Sequence, residues 1–516
     1  MSILDWVVVG GYFLVMVAIG LWARSRIHDS RDFFTAGGKM PWWLSGISHH
    51  MSGYSAAVFV GYAAIAYTYG FVLYVWWALG ITFAMLVGSF VFVAKWPRLR
   101  QRLNVISPLE YLRIRYNVPT QQILAWSGAA LKVFDVGAKW TATAVLLNIF
   151  ADVPLQYGIF ITGGVTLIYS TIGGLWADAL TDLGQFVIQF IAAFALLFGV
   201  MGVLGGDFMF TMWSQLPPEN SQWFNGPYTV LFVMVYLLIN TLSYNGGTWN
   251  LAQRFIASPT GSTARKAALL SAGLYLVWPL VMFLPMWAAP LILPGLEDPS
   301  QSYALLTQKL LPAGLVGLVL AGMFSHTMAM TGSDAGAISA VVTRDIIPVL
   351  TGKQAAEPDT KAELTQGRIA VFLFILISML IALFSDSFGG VLGLIILWFG
   401  GLVGPIAIPM LWGMLKHTKK AGPWSAIGSW AAGVFVFFLT RYPLAELIKE
   451  SLPADQITFV NVGSPVLVAL AVYYLLMWLK PQDKPESDGL VDALQSDETV
   501  YDGLAGGAGE QSEAAA

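Results

Sequence analysis

Lys132, Asp135 and Lys139 stand three and four residues apart inside an apolar stretch, 119–149. That spacing puts all three on one face of a helix. Charges at membrane depth are expensive unless they pair or serve a solute or ion. Asp135 is therefore either the salt-bridge partner of Lys132 or Lys139, or a ligand for solute hydroxyls or a cation. Asp178 and Asp182 are four apart at the head of another apolar stretch, 177–204, and share a face in the same way. Asp178 suits the inner interface as well as a site, whereas Asp182 lies deeper. His49, His50 and His326 titrate near neutral pH, so each is a proton carrier or a hydrogen-bonded packing residue. They lack the companion ligands of a transition-metal site. Trp76, Trp77, Tyr244 and Trp249 can stack on a sugar ring, surround an organic cation, or fill bilayer-facing space.

Composition decides where these groups sit. Of 516 residues, 57% are hydrophobic and 11% charged, which excludes a soluble protein with a surface of ordinary polarity. The chain reads as an all-α polytopic membrane protein with thirteen spans of roughly twenty apolar residues each. A net charge of −3 argues against nucleic acid as a partner, and the absence of cysteine excludes disulfides, thiolate catalysis and cysteine-ligated metals. No nucleophile, metal cluster or phosphate loop supports an enzyme. The first span, 4–23, has Asp5 near its start and Arg24 and Arg26 behind it. It reads as a retained helix with its N-terminus outside. Threading from there puts Arg98, Arg100, Arg102, Lys416, Lys419, Lys420 and the C-terminus inside. Only Lys309, Arg441 and Lys449 fall outside, the asymmetry expected of a plasma membrane protein, in a bacterium the inner membrane.

Two apolar runs are interrupted by glycine and polar residues: Ser52-Gly53-Tyr54-Ser55 in the second span and Asn245-Gly246-Gly247-Thr248 in the seventh. Main chain without helical hydrogen bonds is tolerated at that depth only inside protein or beside a wet cavity. Paired breaks in two halves of opposite orientation point to the solute and ion sites of a secondary transporter. The two breaks are expected to face each other across a central cavity. The organisation is an extra helix and inner loop (1–40), a first inverted repeat of five helices (41–204), an outer loop (205–227), a second inverted repeat (228–422) and two further helices (423–480). A cytoplasmic tail (481–516) has too little apolar surface to fold.

From residue 1 to about 480 the chain resembles the sodium:solute symporters. The resemblance rests on Asp32-Phe33-Phe34-Thr35-Ala36-Gly37-Gly38, the segment 55–70, Ser107-Pro108-Leu109-Glu110-Tyr111-Leu112, and Tyr169-Ser170-Thr171-Ile172-Gly173-Gly174-Leu175 with Thr181-Asp182. Gln253-Arg254, and Leu320-Ala321-Gly322 running to Thr343-Arg344-Asp345, complete it. It implies the leucine-transporter fold with one extra helix in front, and uphill solute uptake driven by a sodium gradient. No cofactor is implied beyond the coupling sodium, and the partners are a small organic solute, sodium or a proton, and the lipid bilayer.

The resemblance also assigns positions. Carbonyl ligands of the family's shared sodium site fall at Met51, Tyr54 and His326, but its two hydroxyl positions fall at Ala329 and Met330, which carry none. Thr327, Thr331 and Ser333 are near enough to replace them. Asp182 and Ser333 match a second sodium site found in some members. His50 and His326 match positions beside the shared site, where either could carry coupling protons instead. Asp135 falls where sialic-acid members hold an arginine, a reversal of sign. The polar groups of sugar-binding members fall on Ala57, Val58 and Trp77, and their lysine near Tyr275, so a glucose-type site is not preserved. The solute-binding set expected here is Ser55, Trp76, Trp77, Asp135, Lys139, Tyr244, Asn245 and Trp249. The expected function is cation-coupled symport, with sodium preferred, of a solute such as a sugar or sugar derivative. The alternatives are proton coupling, or a sensor that kept the fold.

Overall fold

Capping residues set where the long helices begin. Asn117 accepts from the Thr120 amide to start Val118–Ala151, Thr229 from Phe232 to start Val230–Leu242, and Thr260 from Thr263 to start Gly261–Ile292. The computed structural model describes residues 1–23, 27, 29–352 and 361–497, and every extended element among them is helical.

Eleven of these helices are long and apolar enough to cross a membrane, from Ile3–Ala23 to Ala454–Leu479. Two shorter apolar helices, Ala56–Tyr69 and Leu155–Ile168, fall where the second and fifth of the thirteen expected spans were placed. Both are short because the helix is interrupted. The second span stops at Met51 and restarts through a 3-10 turn, Ala56–Phe59, into Gly61–Tyr69. The fifth runs into the sixth across a kink at Gly174, whose φ of 53° and ψ of −162° lie outside the helical region.

The seventh span breaks as the glycine pair suggested. Val230–Leu242 widens into a π-turn, Ser243–Gly247, and resumes as Asn250–Ile256. Gly246 has φ of 116°, a conformation that a side chain strains. The ninth span is central: 83% of the residues in an apolar 18-residue window of Leu315–Thr351 are buried, against 28% in that of the first span. Leu315–Val341 packs against the first, fourth, sixth and tenth spans, so its polar residues meet protein on every side.

The tail departs from expectation. Residues after Pro481 form a helix, Pro485–Ala493, that buries Leu490, Val491 and Leu494. Arg98 clasps this segment through the Leu494 carbonyl at 2.8 Å and Asp497 at 2.7 Å, and Lys419 reaches Asp492 at 2.5 Å. A few apolar residues suffice because Arg98, Arg115 and Lys419 supply partners for its polar atoms. Arg24, Arg26 and residues 353–360 and 498–516 lie outside the described residues.

Two outcomes are expected from this architecture. Gly246→Ala should lower thermal stability by about 1–3 kcal/mol, read as an earlier unfolding midpoint in detergent. A Cβ there would lie 2.7 Å from the Trp96 ring as well as straining φ. The Arg98 hydrogen bond holds Asp497 below its ordinary carboxylate range. The clasp is therefore present at neutral pH and lost only as pH falls through that depressed value. Arg98→Glu should raise hydrogen exchange over 485–493 at pH 7, and Arg98→Glu with Asp497→Lys should bring protection back.

Candidate functional site

The two breaks face each other, and the seventh span supplies hydrogen bonds that the second span's main chain has lost. Tyr244 Oη donates to the Gly53 carbonyl at 2.9 Å, and Asn250 Nδ2 to the Ser52 carbonyl at 3.1 Å. Neighbouring spans serve the rest. Tyr275 Oη donates to the His50 carbonyl at 3.1 Å, Trp96 Nε1 to the Asn245 carbonyl at 2.9 Å, and the Ala56 amide to Thr327 Oγ1 at 3.1 Å.

Between the breaks lies a partly open cavity of about 80 Å³. Gly53, Tyr54 and Ser55 line one side and Ser243, Tyr244 and Thr248 the other, with Trp77, Asp135, Lys139, Met330 and Phe399 closing the walls. Of the expected solute-binding set, Ser55, Trp77, Asp135, Lys139 and Tyr244 are there. Trp76, Asn245 and Trp249 are not, which corrects the aromatic lining. Trp76 is fully buried against Tyr228, Phe232 and Tyr236 at the outer half of the seventh span. Asn245 turns away, its amide donating to the Ala84 and Thr241 carbonyls at 3.1 and 2.9 Å. Trp249, at φ of 65°, packs against Gly128 on the far side of the break.

The charges of the fourth span form a closed ring with a residue that sequence reading did not single out, Asp334 of the ninth. Lys132 Nζ lies 3.2 Å from Asp135 Oδ2 and 2.7 Å from Asp334 Oδ1. Lys139 Nζ lies 2.8 Å from Asp135 Oδ2 and 2.6 Å from Asp334 Oδ2. All four side chains are buried, so the salt bridge expected of Asp135 is formed, while Asp135 and Lys139 also line the cavity. The signal for Asp334 was its place on a nearly wholly apolar span, one residue after Ser333.

A second polar cluster sits next to the break. Asp182 Oδ2 accepts from Ser48 at 2.5 Å and Ser52 at 3.3 Å, and Ser333 Oγ lies 2.7 Å from Asp178 Oδ2, Ser52 Oγ and the Ala329 carbonyl. Arg254 enters from the seventh span and bonds Asp178 and Ser333, with Ser52 at 3.0 Å and Asp182 at 3.5 Å. Asp178 thus belongs to the cluster and does more than cap a helix end. Two carboxylates face one guanidinium, and Asp178 Oδ1 and Asp182 Oδ1 are buried with no protein partner. One added positive charge balances the cluster, and its donors are the hard oxygens that suit an alkali cation.

The family's shared sodium site is only partly assembled. No described donor reaches the Met51 or Tyr54 carbonyls, which leaves them available. Ala329 and Met330, placed in the ion-binding set by the family resemblance, bring no side-chain oxygen: Ala329 is buried with its carbonyl on Ser333, and Met330 lines the central cavity. The replacement hydroxyls are committed elsewhere, Thr327 to Ala56 and Thr143, and Thr331 to the Thr327 carbonyl. His49 is a packing residue, bonded to Ser271 and the Tyr244 carbonyl at 2.8 and 3.0 Å. His50 Nε2 meets Tyr54 Oη at 3.0 Å, while the His326 ring stacks on Tyr54 with neither nitrogen hydrogen-bonded. Among the described residues no continuous hydrogen-bonded chain joins His50 to His326.

Comparison with known proteins agrees with this geometry. Residues 33–427 match the sodium:solute symporter family. The chain is 26% identical to the sodium/glucose cotransporter of Vibrio parahaemolyticus, covering 91% of this chain and 90% of that one. It is 24% identical to the sodium/sialic acid symporter NanT of Aliivibrio fischeri, covering 76% and 80%. Its fold matches the substrate-bound outward-open structure of a Na⁺-coupled sialic acid symporter with a TM-score of 0.76 at 19% identity, over 92% of this chain and 98% of that one. A nucleobase-cation symporter, Mhp1, follows at a TM-score of 0.55 and 14% identity, over 89% of this chain and 98% of that one. These relatives are transporters and not enzymes. The chain belongs to the sodium:solute symporter family, as a multi-pass membrane carrier that moves a small organic solute together with a cation.

Proposed function

We propose that this protein couples inward movement of sodium to uptake of a small hydroxylated solute, such as a sugar or sugar derivative. Its setting is the plasma membrane, in a bacterium the inner membrane, with the N-terminus outside and the C-terminus inside. The observation that carries the reading is that one four-residue break serves both ligands. Ser52 belongs to the carboxylate cluster, while Gly53, Tyr54 and Ser55 line the solute cavity. A cation that neutralises Asp178 and Asp182 pulls Ser52 toward the ninth span, and the same movement orders the solute wall. Binding of each ligand then favours the other by the same factor.

The solute is read by one wall. Asp135 takes both lysines on Oδ2, so Oδ1 remains for solute donors, and the Lys139 ammonium stands beside it. A hydroxyl that donates to one and accepts from the other suits the pair, and Trp77 and the tyrosines suit the apolar face of a sugar ring. Release follows from alternating access, in which the helices carrying the two breaks rock against the fourth and ninth spans. Sodium is preferred because the relatives are sodium-coupled by name and the cluster offers oxygen donors. A proton on the same carboxylates is the rival.

Two measurements test this in proteoliposomes. Asp135→Asn should express normally and weaken solute uptake by about 10- to 150-fold, the worth of a hydrogen bond to a charged group. Unchanged uptake kinetics would return Asp135 to a structural role. Asp182→Ala should raise the sodium concentration for half-maximal uptake by about tenfold or more, the loss of a charged ligand, while His326→Ala should leave sodium dependence in place. Full uptake without sodium, abolished by a protonophore, would overturn the choice of ion.

A further inference from the structure

We propose that Asp334 is a specificity-determining residue of the solute site, and that the balanced ring it completes selects solutes without net charge. The inference rests on the solute reading of the central cavity given above.

Lys132, Asp135, Lys139 and Asp334 carry two positive and two negative charges, with side chains at most 5% exposed. Asp334 does not itself line the cavity, and neither does Lys132. Asp334 acts through the lysines: it takes one on each oxygen, at 2.7 and 2.6 Å, shorter than either contact to Asp135. Both ammoniums are thereby drawn toward the ninth span. Asp135 needs only Oδ2 to meet them, and no described protein group takes its Oδ1. Without Asp334, the lysines have Asp135 alone as counter-ion and both its oxygens are drawn in, which removes the solute's acceptor.

The charge balance has a second effect. Asp135 and Lys139 are the only carboxylate and the only basic side chain lining this cavity among the described residues, and each is already neutralised within the ring. A solute with net charge would leave water for a low-dielectric wall that has no unpaired counter-charge to offer. A neutral polyol loses only hydrogen bonds to water, and recovers them on Asp135 Oδ1 and Lys139 Nζ. The cation cluster at Asp178 and Asp182 is balanced separately by the coupling ion.

The test uses the purified full-length chain with matched probes: neutral monosaccharides and polyols, the corresponding uronates, and the corresponding amino sugars, with binding read by thermal shift and by competition for uptake. Wild type should prefer the neutral members. Asp334→Asn leaves the ring at +1 and should shift the preference toward uronates by about tenfold or more. Adding Lys132→Met to Asp334→Asn restores neutrality and should restore the neutral preference, which a merely structural role for Asp334 would not do. Lys132→Met alone leaves the ring at −1 and should shift the preference toward amino sugars, so the inference stays testable if Asp334→Asn does not fold. Neutral preference in wild type with unchanged ratios in these variants overturns the inference and leaves the solute reading intact. A wild type that prefers charged members also overturns it, and binding of no member overturns the solute reading and the inference together.

Discussion

Two helices of this protein lose internal hydrogen bonds within apolar spans, and their freed main-chain groups depend on partners that lipid cannot supply. The partners are side chains from other helices. Tyr244 and Asn250 cross from the seventh span to the Gly53 and Ser52 carbonyls, Tyr275 donates to the His50 carbonyl and Trp96 to the Asn245 carbonyl, while Thr327 Oγ1 accepts from the Ala56 amide. The arrangement of spans three, seven, eight and nine around the second span follows from that requirement. A break held this way is rigid enough to define a cavity and still carries polar atoms to offer a ligand.

Charge obeys the same rule with higher stakes, because a buried ion without a partner costs more than an unpaired amide. The protein meets it twice. The ring of Lys132, Asp135, Lys139 and Asp334 is complete by itself. The cluster of Asp178, Asp182 and Arg254 is one positive charge short and leaves two carboxylate oxygens unpartnered. The difference separates the two groups: a balanced one on the wall of the central cavity, an unbalanced one at the Ser52 end of the break. Arg254 also explains how two aspartates four residues apart can be buried on one helix face.

Much of the fold was legible because its signals are local. Apolar runs of bilayer length, glycine-polar interruptions and the distribution of arginine and lysine each depend on neighbouring residues, and they located both breaks correctly. The errors came where a local signal had two tertiary outcomes. Trp76 and Trp77 are adjacent and look alike in sequence, yet only Trp77 faces the cavity, because successive residues on a wound segment point to different sides. Asn245 lies in the break but its amide is taken by Ala84 and Thr241. The segment after Pro481 looked too polar to fold, and it folds where Arg98 and Arg115, far away in sequence, bind it.

The sequence by itself determined the class of molecule, the positions of the breaks, and the gathering of three charges on one face of the fourth span. All of these follow from spacing along one helix or from composition over a window. Only the tertiary structure decided which charges meet. Lys132 and Asp334 are 202 residues apart and Ser52 and Ser333 are 281 apart. No helical periodicity carries information over that distance. Pairing there is set by which faces of separate helices pack together, and that in turn depends on every contact in the bundle at once.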